Sequence, residues 1–178
     1  IFKPNPAISF MVNFDPSRDP KASEQLEKLY HTLAEGGVPM MPLDEYPFSK
    51  KYWWIEDKYG VSWQLILTDP DGDPRPFIMP SLLFVTDSGK VTEEARAFYV
   101  SVFKNAKEGI IAHYPAGMEP NPEGAVMFSD FTLEGQWFTA MDGPSSMHKF
   151  AFTEGVSLIV RCNTQEEIDY YWNKLSAV

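Results

Sequence analysis

Cysteine is nearly absent from this chain and histidine is scarce. The 178 residues include one cysteine, Cys162, and three histidines, His31, His113 and His148. A single thiol cannot form a disulfide within the chain, which fits a reducing compartment, so a cytoplasmic location is expected. Cys162 follows the apolar run Val156-Ser157-Leu158-Ile159-Val160 and reads as a packing residue. A nucleophilic thiol needs a positioned base, and none stands near it in sequence. Positive charge is also short: 15 Lys and Arg against 25 Asp and Glu leave a net charge of −10. Such a surface repels phosphate backbones and anionic membranes, so neither nucleic acid nor membrane is expected as a partner. No apolar run reaches the roughly 18 residues that a spanning helix needs, and no signal-peptide pattern is visible. Also missing are a G-x-G-x-x-G turn, a Walker lysine motif and a G-x-S-x-G elbow. Residue 1 is Ile rather than Met, and the expectation is a piece of a longer tandem protein.

What is abundant is core material. Hydrophobic residues make up 44% and aromatics 15%, which excludes disorder. These residues fall into a repeat. Residues 2–12 (FKPNPAISFMV) resemble residues 150–160 (FAFTEGVSLIV), with Ser9 and Ser157 in matching places. Each run is followed by a helix, predicted over residues 22–34 and 165–175. Leu26, Leu29, Tyr30 and Leu33 recur at helical spacing in the first, and Ile168, Tyr171, Trp172 and Leu175 in the second. Ser23 is the expected cap of the first helix, and Thr164 with Glu167 reads as a capping box for the other. A middle copy runs from a strand at 77–85 into a helix at 92–103 capped by Thr92.

Three strand signals follow each of the first two helices: 38–41, 51–56 and 61–67, then 109–114, 125–133 and 136–141. Asp57-Lys58-Tyr59-Gly60 and Glu134-Gly135 are the expected hairpin turns. The chain thus reads as α+β, with β-α-β-β-β modules at 1–68 and 77–143, a linker at 69–76, and the βα start of a third module at 147–178. The linker's Asp69, Asp71 and Asp73 suggest a calcium loop, but Pro80 stands where an EF-hand needs its glutamate.

Paired β-α-β-β-β modules resemble the glyoxalase/bleomycin-resistance (vicinal oxygen chelate) superfamily. The wording is similar to its PhnB-like branch, which carries a 3-demethylubiquinone-9 3-methyltransferase label. The residues concerned are DKYGVSWQ (57–64), EEARAFY (93–99), Phe103 with Asn105-Ala106, EGQWF (134–138) and QEEIDYYW (165–172). The resemblance implies curved, mixed sheets that cup a small organic molecule or a metal, and a dimer. It also implies that module one is the second half of one cup and that module two pairs with module three. A homodimer or a strand-swapped oligomer is therefore expected. The methyltransferase label finds no support, because no glycine-rich donor loop is present.

In the superfamily's metal enzymes the last strand of a module supplies a glutamate, and here that position is Gln64. A neutral amide is a weak ligand for a divalent ion. The first strands offer Asn5, Ala7 and Ser9, then Met79 and Ser81, with no histidine. No metal site and no cofactor is predicted, while a divalent metal remains the alternative that a lyase or dioxygenase relative would need. Alternation puts Val61, Trp63, Leu65 and Leu67 on one face of their strand and Ser62, Gln64 and Ile66 on the other. The expected pocket-lining residues are Ser9, Ser62, Gln64 and His113, the last placed by alternation along its strand. His31 and His148 read as solvated. The tryptophans, including Trp53, Trp54 and Trp63, read as strand-side core. The functional expectation is a small-molecule binding protein with no reaction assigned; the alternatives are a metal-dependent enzyme or a non-catalytic oligomerisation module.

Overall fold

Strand β1 (Ile8–Phe14) holds the sheet together. In the computed structural model, which describes residues 2–177, β1 pairs on both sides. One neighbour is β4 (Ser62–Leu67), in parallel, with Ser9 opposite Ser62 and Met11 opposite Gln64. The other is β5 (Ile78–Val85), antiparallel, with Ser9 opposite Ser81. Outward from β4 lie β3 (Ser49–Glu56) and then β2 (Val38–Tyr46). Beyond β5 lie β8 (Gln136–Gly143), β7 (Val126–Leu133) and β6 (Lys107–His113). The result is one curved, mixed sheet of eight strands in the order β2-β3-β4-β1-β5-β8-β7-β6.

This pairing corrects one expectation. The first two β-α-β-β-β repeats pair with each other through β1 and β5, rather than module two pairing with module three. A second correction concerns residues 150–160, which form no strand. Both flanks of β5 are already taken, by β1 and β8, so this segment finds no free edge beside its sequence neighbours. It runs past the sheet end, where Asn5 Nδ2 donates to Ala151 O at 2.9 Å.

Two helices cover one face. Helix α1 (Ala22–Ala34) buries Ala22 and Leu26 against Val12, Phe14, Trp53, Ile55 and Leu65. Tyr30 meets Trp53 edge-on at 4.4 Å between ring centroids. Helix α2 (Val91–Val102) does the same over Leu82, Phe131, Phe138 and Ala140, using Tyr99 and Val100. The tryptophan and helix periodicities thus do what their spacing dictates. Helix α3 (Gln165–Leu175) differs, since it buries no residue of its own. It rests on the end of α2 through Tyr170, whose hydroxyl donates to Val102 O at 2.7 Å, and through Tyr171 against Phe103.

Local signals account for the turns and caps. Asp57 Oδ1 accepts from the N–H groups of Tyr59 and Val61, its Oδ2 accepts from Trp63 Nε1, and Gly60 has φ +85°. The turn and Trp63, the tryptophan of β4, are therefore fixed by one carboxylate. Glu134 and Gly135 both have positive φ, 49° and 80°, which a two-residue hairpin requires. Asn105 and Tyr171 donate to the Glu134 carboxylate and hold it in this conformation. Thr164 caps α3 by accepting from Glu167 N. Ser23 and Thr92 do not cap their helices, which begin one residue earlier.

If the two helix-covered clusters carry the stability, Leu26→Ala will cost about 2–5 kcal/mol, the range for deleting a fully buried leucine. Ile168→Ala, on the half-exposed face of α3, will change it by no more than about 0.5 kcal/mol. Urea denaturation of the two variants checks both; equal effects would show that α3 belongs to the core.

Candidate functional site

The sheet face away from α1 and α2 carries a polar centre inside an apolar surround. Gln64, 4% exposed, projects there from β4. Its Oε1 accepts from the Tyr52 hydroxyl at 2.8 Å. Its Nε2 donates to Ser9 Oγ at 2.6 Å and to Ser81 Oγ at 3.2 Å. Two residues back on β4, Ser62 Oγ accepts from Trp54 Nε1 at 2.8 Å. Burial raises the pKa of the Tyr52 phenol far above its ordinary value, so it stays a donor. Around this centre pack Tyr52, Trp54, Leu83, Ile66 and Met141.

The alternation of β4 follows from Leu65 packing under α1, which forces Gln64 and Ser62 to the other side. Ser9, Ser62 and Gln64 therefore come together, and Ser81 joins them from the second repeat. His113 does not. The β6–β7 pairing slips between Ala112 and His113, the alternation breaks there, and His113 Nε2 donates instead to Glu93 Oε1 on α2 at 2.7 Å.

One cross-strand row on this face is made of small hydroxyls. Ser62, Ser9, Ser81 and Thr139 stand opposite one another on β4, β1, β5 and β8. Thr139 Oγ1 is buried with no hydrogen-bond partner among the described residues. Ser9 and Ser81 accept from Gln64, yet their own hydroxyl hydrogens have no acceptor among the described residues. A buried donor left unpaired is costly, so this row keeps hydrogen-bonding capacity that the described residues do not use.

The donor set does not fit a metal ion of the superfamily's kind. Gln64 offers an amide whose oxygen and nitrogen are both engaged, and its neighbours are hydroxyls rather than carboxylate or imidazole. Among the described residues no three His, Cys, Asp or Glu side chains gather as an ion would need. In the linker, Asp69 caps its own turn: its Oδ1 accepts from Asp71 N at 3.0 Å and its carbonyl from Gly72 N.

Three features were not read from the sequence. Arg75, at the end of the linker, reaches onto the polar face, where its Nε and Nη2 donate to Asp130 Oδ2 at 3.0 and 2.7 Å. Its guanidinium lies 4.4 Å over the Trp137 ring. Asp130 is 1% exposed and also accepts from Ile110 N, and Gly109 beside it leaves no room for a side chain. A lone Asp inside the apolar run AVMFSDFTL was the available signal. The second feature is Asp142, which takes both Thr92 N and Thr92 Oγ1 on one oxygen and Val126 N on the other; it anchors the start of α2. The third is His148, which is not solvated. It lies 5.9 Å from Trp54 and 5.3 Å from Phe150 between ring centroids, and burial holds its imidazole below the usual pKa.

Two β-α-β-β-β repeats on one curved sheet, with helices on the outer face and a small buried polar centre on the other, define a glyoxalase-type protein. The family profile described as 3-demethylubiquinone-9 3-methyltransferase matches residues 1–66 and 76–178, and the chain belongs to that PhnB-like family. Among solved structures, it is similar to a PhnB protein from Bacillus cereus described by the same methyltransferase name. The identity there is 38%, over 54% of this chain and 70% of that one, with a TM-score of 0.45. It also matches a Pseudomonas aeruginosa protein (28% identity, 34% of this chain, 41% of that one, TM-score 0.30) and a Staphylococcus aureus protein (31%, 34%, 47%, 0.29). It thus spans less than half of those two relatives. No curated protein matches.

Breaking the buried ion pair leaves Asp130 as an uncompensated charge, so Arg75→Ala will cost about 3–5 kcal/mol. Equilibrium unfolding of the variant measures this, and a loss within error of zero would show that water already satisfies Asp130. His148 has its folded pKa lowered relative to the unfolded chain, so the unfolded state takes up more protons as pH falls below about 6.5. The stability this group lends is complete above that value and is lost as pH drops toward the folded pKa. An NMR titration will place the His148 midpoint below the ordinary imidazole value of about 6.5.

Proposed function

We propose that the protein binds a small organic molecule on the face of the sheet that carries Gln64, with its acceptor groups turned to the hydroxyl row Ser9–Ser81–Thr139. The observation that supports this reading is the row itself, with unspent buried donors inside an apolar surround. Small-molecule sites are mostly apolar with a few fixed polar groups. The ligand class that matches is a neutral or weakly polar compound with carbonyl or ether oxygens. An organic cation would gain from the net charge of −10, but no carboxylate among the described residues is free on the row to meet it.

No reaction is assigned. Methyl transfer, which the family description names, needs a bound methyl donor, and the sequence has no glycine-rich turn after a strand to hold one. A lyase or dioxygenase of the superfamily's metal-dependent kind would need ligands that the Gln64 centre does not offer. The protein is read as acting in the cytoplasm.

Oligomerisation is the second reading, and it has its own observation. Val160, Cys162, Ile168, Tyr171, Trp172 and Leu175 line an open groove of about 370 Å³, with Trp172 71% exposed. An apolar strip of this kind marks an interaction surface, and a homodimer or strand-swapped oligomer would cover it.

The test is thermal unfolding with a panel of neutral oxygen-bearing aromatics and aliphatics, and separately with Ni²⁺, Mn²⁺, Zn²⁺ and Fe²⁺. Organic ligands are expected to raise the melting temperature as mass action requires, and Ser81→Ala with Thr139→Val to abolish the rise. Stoichiometric metal with a comparable rise would overturn this reading in favour of a metal enzyme.

A further inference from the structure

The segment after β8 does not leave the sheet at once. It turns back over the polar face, and its two ends are tied down. At one end Ser145 N and Oγ donate to Asp87 Oδ1 and Oδ2 at 3.0 and 2.7 Å, and Lys149 Nζ donates to Ser145 O. At the other end Asn5 holds Ala151 O, and Phe152 lies 4.9 Å from Phe84. Between these ties the backbone makes only its own turn, with Met147 N and His148 N donating to Pro144 O. No ladder joins it to a strand among the described residues. What sits on the sheet is a pair of rings. His148 tilts over Trp54, and Phe150 packs into the cluster of Tyr52, Trp54, Leu83 and Met141. Close approach is built in, since a Cβ at Gly143 would stand 2.7 Å from His148 Cδ2. Leu83 and Met141 are each two residues along their strands from Ser81 and Thr139.

We propose that residues 144–152 form a self-inhibiting strap, in which His148 and Phe150 fill the place of a planar aromatic ligand, and that the ligand enters by displacing them. This rests on the small-molecule reading above and adds the ligand's shape and its route. Two rings on an aromatic floor of Trp54 and Tyr52 are replaced most readily by another flat ring system, since offset and edge contacts between rings add to area burial. An oxygen on that ring system then reaches the Ser81–Thr139 end of the hydroxyl row. Because the strap is held by side-chain rings and end ties rather than by strand pairing, it opens without disturbing the sheet.

The strap reduces apparent affinity by the fraction of time it is closed. The probe is Nile red, a neutral planar dye, titrated with tryptophan excitation in a Trp172→Ala background, which removes the α3 groove as a second aromatic site. Compared are the otherwise native chain, His148→Ala/Phe150→Ala, and an Asp87→Cys/Ser145→Cys pair in which Cys162→Ser removes the native thiol. The double alanine variant is expected to bind about tenfold tighter or better, and the oxidised cysteine pair several-fold weaker than its reduced form. Equal affinity in all of them overturns the strap and leaves the small-molecule reading intact. Binding to none overturns both. Should the alanine variant fail to melt cooperatively, hydrogen exchange on the native chain decides: amides of Met147 and His148 must exchange through local opening, at rates well above those of β1 and β5. Exchange as slow as in those strands overturns the proposal.

Discussion

The antiparallel seam between β1 and β5 is the contact on which the remaining structure depends. Each repeat alone is a four-stranded sheet with one helix, and its first strand is an edge on one side. Such an edge exposes a row of unpaired backbone groups. Joining the two first strands removes both edges at once and places Ser9 directly opposite Ser81. The helices then cover separate clusters on the same face, and the opposite faces of both repeats merge into a single surface. The seam also extends the polar centre across both repeats: Gln64 with Tyr52 and Ser9 belongs to the first, and Ser81, which accepts from Gln64, belongs to the second.

Buried charge braces the second repeat. The linker between the repeats ends in Arg75, which crosses to Asp130 on β7 and stacks on Trp137. Asp142, near the end of β8, fixes the first turn of α2. Both carboxylates are satisfied by several donors, as burial demands. They act as clamps on backbone geometry and leave the Ser9–Ser81–Thr139 row as the part of the face with unspent hydrogen-bonding capacity.

Most of the elements were legible because they rest on local chemistry. Leucine and aromatic spacing marked α1 and α2, strand alternation put Gln64 opposite Leu65, and the Asp57 and Glu134 turns were set by residues within a few positions. The pairing of the repeats was not legible. Residues 150–160 look like a first strand as much as residues 2–12 do, and only three-dimensional crowding decides which of them finds a partner edge. Within the site, Ser9, Ser62 and Gln64 could be grouped from alternation alone. His113 was misplaced because the β6–β7 register shifts twice, the second time between Ala112 and His113, which simple alternation along one strand cannot show. Arg75 and His148 escaped notice for a different reason: each sits in a loop, and loops carry no periodicity that would say what they touch.

The seam also relates the two repeats by an approximate two-fold axis that passes between Ser9 and Ser81. Under that relation Ser62, opposite Ser9, corresponds to Thr139, opposite Ser81. Gln64, opposite Met11, corresponds to Met141, opposite Leu83. The backbone is nearly symmetric, but the side chains on either side of the axis are an amide and a thioether. The face is therefore directional: its two halves share the hydroxyl row but differ in the side chain beside it, so the sheet offers two inequivalent ends rather than a symmetric surface.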